Sequence, residues 1–95
     1  MIKHVVMFQL KDKTPTELQH LRNILHALPP LIPQLRHMET GVDVLHSPRS
    51  MDLALITHFD NLADLKTYAT HPEHLKVAGW TSEHCSLIKA VDFEF

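Results

Sequence analysis

The sequence predicts an α+β fold, an antiparallel four-stranded sheet with its helices packed on one face. Apolar residues alternate with period two in Ile2–Leu10 and again in Leu87–Phe95, near the two ends of the chain. Two shorter runs of the same kind, Val42–His46 and Met51–Phe59, flank the turn-forming Ser47-Pro48-Arg49-Ser50. Helical patterns with recognisable starts stand between the first and second runs and between the third and fourth. The resulting order, β-α-β-β-α-β, is that of the ferredoxin-like motif.

In the first strand Ile2, His4, Val6, Phe8 and Leu10 share one face, which is apolar except for His4. Lys3, Val5, Met7 and Gln9 share the other, so this strand needs cover on both sides. Thr14-Pro15-Thr16-Glu17 starts the first helix, with Thr14 as N-cap, Pro15 at the first helical position and Glu17 completing a capping box. Leu18, Leu21, Leu25 and Leu28 follow as an apolar stripe that stops at Pro29-Pro30. Leu31–Met38 has room for one or two helical turns, and Gly41 marks a turn before the second strand.

In the third strand Met51, Leu53, Leu55, Thr57 and Phe59 oppose Ala54, Ile56 and His58. Asp60 or Asn61 caps a helix carrying Leu62, Leu65, Tyr68 and Ala69. A helix from Pro72 carries Leu75, Val77, Ala78 and Trp80 and fades after Ser82. In the last strand Leu87, Val91, Phe93 and Phe95 oppose Ile88 and Ala90. Helices on one side leave the other sheet face bare. That face would expose the Val5, Met7 and Ile56 set or its complement, and neither is polar enough for water. A symmetric homodimer with the two sheets face to face is the economical cover.

The bulk composition narrows the function classes. Ninety-five residues fit one domain spanning the chain, and 44% hydrophobic with 21% charged is ordinary for a soluble globular protein. A net charge of −2, with Lys and Arg scattered, argues against a nucleic-acid or anionic-membrane partner. No apolar run is long enough to span a bilayer. Met1-Ile2-Lys3-His4 leads straight into a strand pattern, which argues against a signal peptide. The single cysteine, Cys85, excludes an internal disulfide and suits a cytoplasmic location, where it reads as a buried thiol. Nine histidines are the one unusual count, and they draw attention to behaviour near pH 6.

Tyr68-Ala69-Thr70-His71-Pro72-Glu73-His74 gathers a phenol and two imidazoles at one joint. Pro72 steers His71 out of the α region and suits the first turn of a new helix, so the joint falls between two helices. Glu73 then lies where the helix dipole favours an anion. His71 and His74 stand about one turn apart, and Tyr68 can lean toward the same space.

These segments resemble the stress-responsive A/B barrel domain family, of the dimeric α+β barrel superfamily, over essentially the whole chain. The resemblance rests on Ile2-Lys3-His4-Val5-Val6-Met7-Phe8, on Asp52-Leu53-Ala54-Leu55-Ile56-Thr57 with Phe59, and on His71-Pro72-Glu73-His74 followed by Ala90-Val91-Asp92-Phe93. It implies a dimeric A/B barrel. One branch of the family, plant polyketide cyclases of the olivetolic acid cyclase type, places a histidine of the first strand beside a tyrosine and a histidine of the His-Pro-x-His corner. The matching positions are His4, Tyr68 and His74, with His71 in a supporting place.

On that reading the site performs proton transfer on a carbonyl compound. An aldol closure needs a base to remove an α-proton and a donor to stabilise the enolate or alkoxide. His74 is then the base, Tyr68 polarises a carbonyl, and His4 supports either role. A bland account stands beside it: His4 as a hydrogen-bonded core imidazole, and Tyr68 as core with its hydroxyl at the edge. The alternative functions are a non-catalytic stress-response dimer and, less favoured, a haem-degrading monooxygenase. His71 and His74, with His4 or Glu73, form too loose a set to require a metal, so neither metal nor cofactor is expected. His20, His26, His37, His46, His58 and His84 show no pattern and read as surface residues.

Overall fold

The computed structural model describes residues 1–95. Its elements are β1 (Ile2–Leu10), α1 (Pro15–His26), β2 (His37–Val42), β3 (Leu53–Phe59), α2 (Leu62–Thr70), α3 (Pro72–His84) and β4 (Cys85–Glu94). The strands form one antiparallel sheet in the order β2-β3-β1-β4, the ferredoxin-like arrangement that the sequence predicts. No helix is long and apolar enough to cross a membrane.

The helix starts follow local chemistry. Thr14 Oγ1 accepts from the Glu17 amide at 3.3 Å, and Asn61 Oδ1 accepts from the Asp64 amide at 2.8 Å. Each side chain thereby satisfies an amide that has no partner within the helix. Leu21, Leu25 and Leu28 press onto Phe8, Leu10, Leu53, Leu55 and Phe59 to form the core on one side of the sheet. Burying each such side chain contributes about 1.5–3 kcal/mol.

Three segments differ from the sequence expectation. The second strand is His37–Val42, not Val42–His46. Met38 and Thr40 align with Thr57 and Leu55, and Gly41 sits within the strand opposite Ala54. The Asp43 carboxylate accepts from the His46 amide at 2.7 Å, and His46 adopts φ 55°, so the chain turns there. Val44 and Leu45 are consequently 90% and 75% exposed, apolar residues of a loop tip. The stretch before β2 forms turns rather than helix, because Pro33 cannot donate within one. The third helix runs on to His84, and β4 begins at Cys85 directly after it.

The face of the sheet away from the helices presents Val5, Met7, Ala54, Ile56, Leu87, Val91 and Phe93, in pairs fixed by the strand registers. Met7, Val91 and Phe93 are 40%, 54% and 43% exposed. This is the bare apolar face that the alternation predicts.

Candidate active site

β1 carries His4 on the helix-covered face, opposite Thr57 of β3 and Asp92 of β4. Its Nδ1 pairs with the Asp92 carboxylate. An ionised carboxylate only accepts, so Nδ1 carries a proton, and Nε2 is left without a partner in the chain. The Tyr68 ring, 1% exposed, lies 4.9 Å from Phe59, 4.5 Å from His74 and 6.3 Å from His4 between ring centres. His74 Nδ1 donates to the Ala69 carbonyl at 3.0 Å, which leaves its Nε2 free as well. The joint works as the proline predicts: His71 ends α2, and its Nδ1 caps α3 by accepting from the Glu73 amide at 3.1 Å.

His4, Tyr68 and His74 line one cavity of 320 Å³ between the sheet and the helices. Its other walls include Val6, Phe8, Leu25, Leu55, Val77, Ile88 and Ala90, and no lysine, arginine or carboxylate is among them. The Tyr68 hydroxyl has no hydrogen-bond partner within the chain and is not sealed from open space, and the Tyr68 side chain lines the cavity. Burial pushes its pKa up to about 12, which keeps it a proton donor at neutral pH. Burial also holds His74 below the ordinary imidazole value. The Ala69 hydrogen bond opposes that shift, and the nearby imidazoles of His4 and His71 add to it. His74 is therefore neutral and able to accept a proton near pH 7.

Of the four residues singled out from the sequence, three converge on this cavity. His71 does not line it; its ring nitrogen is occupied in capping α3. No three histidine, cysteine, aspartate or glutamate side chains come together as a metal-holding group. Asp92 is the site residue that sequence reasoning leaves without a role. It shares the inward parity of Ile88, Ala90 and Glu94, so a carboxylate directly after two apolar residues on that face is the available signal. Only the β1–β4 register, which sets Asp92 opposite His4, turns that signal into a pair.

Residues 2–95 match the profile of the Stress responsive A/B Barrel Domain. The chain belongs to that family. A stress-response A/B barrel domain-containing protein of Arabidopsis thaliana is 31% identical over 95 residues, 97% of this chain and 36% of that protein. The chain thus spans about a third of the length of that relative. Among solved structures, a dimeric protein of unknown function and ferredoxin-like fold from Bacteroides fragilis aligns with TM-score 0.83 and 36% identity, over 99% of this chain and 95% of that one. The hydroxynitrile lyase of Passiflora edulis aligns with TM-score 0.84 over 97% of this chain and 90% of that one; at 18% identity the likeness is one of fold.

Proposed function

We propose that this A/B barrel domain binds a small carbonyl compound between its sheet and helices and performs acid–base chemistry on it, in the manner of an aldol closure. One observation supports this most: two imidazoles with Nδ1 engaged elsewhere and one unpartnered phenol line the same apolar-walled cavity. Its 320 Å³ lies at the lower end of the range for small-molecule sites, about 300–1,000 Å³.

The roles follow from the protonation states. His74 Nε2 removes a proton from the carbon next to a carbonyl, and the Tyr68 hydroxyl donates a hydrogen bond to the enolate oxygen. The enolate carbon forms the new bond to a second carbonyl carbon of the same molecule. The resulting alkoxide takes a proton back from the His74 imidazolium, which restores the starting state. His4, oriented by Asp92, lines the same cavity and supports His74 in proton transfer. The apolar walls lower the local dielectric and strengthen these interactions. A hydroxynitrile lyase shares the fold, which is consistent with carbonyl-type chemistry on this scaffold but does not name the substrate. The likeness to polyketide cyclases of the olivetolic acid cyclase type rests on His4, Tyr68 and His74 alone.

The protein works as a homodimer closed through the apolar sheet face, in keeping with the dimeric Bacteroides fragilis relative. A second reading is a stress-response dimer that binds the same ligands without turning them over; the family's description speaks of stress response and of no reaction. A panel of linear β-polyketones, incubated with wild type, His74→Ala and Tyr68→Phe, separates the two. Cyclised product from wild type alone supports the enzyme. Chemical-shift changes around the cavity with no product from any variant would leave the binding reading in its place.

A further inference from the structure

The outer sheet face carries a row of side chains that the proposed reaction does not use. His37 of β2, His58 of β3, Lys3 of β1 and Phe93 of β4 stand side by side in register. The rings of His37 and His58 are 4.5 Å apart between centres, and the Phe95 ring is 4.6 Å from His58. Lys3 Nζ sits 4.6 Å from the centre of the Phe95 ring. The next row along is apolar in its middle, with Ile56, Val5 and Val91 in register.

Few charged groups face these histidines. β1 presents Lys3, and β2 presents Glu39, whose carboxylate is 4.0 Å from His37 Nε2. β4 presents the Phe93 and Phe95 rings there, with Lys89 two rows farther along, opposite Met7. Burial, the proximity of His37 and the charge of Lys3 hold His58 below the ordinary imidazole value, against the pull of Glu39.

We infer that this row makes self-association pH-sensitive: the outer face closes on a second copy of the chain when His37 and His58 are neutral, and opens when they are protonated. The inference rests on the sheet-face dimer proposed above. At neutral pH the row holds one cation, Lys3, while one anion, Glu39, stands at the end of the next row beside Ile56. Protonation of both imidazoles leaves three cations against one anion, at the end of an apolar face that association must desolvate. A two-fold axis places each of those charges twice in one interface. The sign follows from linkage. Association lowers the histidine pKa values below those of the free protomer, so protons bind the monomer more tightly. Affinity is complete above the free imidazole range and falls as the pH drops through it.

Sedimentation velocity at about pH 8 and about pH 5.5, with far-UV circular dichroism to verify folding, is the first test. A wild-type dimer at pH 8 should weaken at least about tenfold in Kd at pH 5.5, the effect of a one-unit pKa change on a single group. The His37→Gln/His58→Gln double variant should lose that dependence. A wild-type change under about twofold, or a double variant that keeps the wild-type dependence, overturns the inference. A protein monomeric at both pH values removes the sheet-face dimer itself, which is a different failure. An NMR titration of His58 at two protein concentrations, between about pH 6 and 8, gives a second reading within the folded range. Its pKa must fall as the dimer fills; a concentration-independent value overturns the inference.

Discussion

On the helix side of the sheet, His4 is tied to a carboxylate and lines a cavity. On the opposite side, His37 and His58 lean on one another and face outward. All three sit on strands among apolar neighbours. Their surroundings separate them: Asp92 orients one imidazole and fixes its free nitrogen, whereas Glu39 stands too far from His37 for a strong bond. A histidine on an apolar strand face acquires its role from the strand beside it. A carboxylate in register suits it to proton transfer, and a second imidazole beside a lysine suits it to a charge switch.

The largest effects should come from the inner face. His74→Ala should lower kcat/KM on a cyclising polyketone by about 10²–10⁴-fold, the range for losing a general base. A steady-state assay showing less than tenfold would move the base to His4. Leu21→Ala, at a fully buried position, should cost about 2–5 kcal/mol in chemical denaturation. The outer face should behave in the opposite way. Val91→Asp should leave the protomer within about 0.5 kcal/mol of wild type while abolishing the dimer by light scattering, because Val91 is half exposed in the single chain. A dimer that survives this change would place the interface elsewhere.

A smaller effect concerns pH. His74 is held below its unfolded value, so the unfolded chain binds the extra proton first, and stability falls as pH drops through about 6.5. Thermal melts between pH 7.5 and 5.5 should show this decline, and His74→Gln should flatten it; an unchanged slope would assign the decline to other groups. Asn61→Ala touches neither face. It removes only the α2 cap and should cost about 1 kcal/mol without altering assembly or turnover.

Much of this is legible along the chain, because it depends on near neighbours. Thr14-Pro15, Asn61 and His71-Pro72 cap or break helices through residues two or three positions away. The alternation in Ile2–Leu10 assigns faces by geometry alone. The second strand is misplaced where local signals conflict: Val42-Asp43-Val44-Leu45 looks apolar and extended, yet the Asp43 side chain turns it, while the true strand contains a glycine and a glutamate. Its place is settled by pairing with β3, which no local window contains.

The same division holds at the candidate site. By itself the sequence determined the element order, the bare apolar face and the gathering of Tyr68, His71 and His74 at one proline joint, since each follows from periodicity or from steric limits on a few adjacent residues. Tertiary structure alone settles that His74 turns to the cavity, that Asp92 holds His4 across 88 residues, and that His37, His58 and Lys3 form one row. The last two rest on strand register, which the burial of the whole sheet face selects: a shift of one residue would exchange the two faces of a strand.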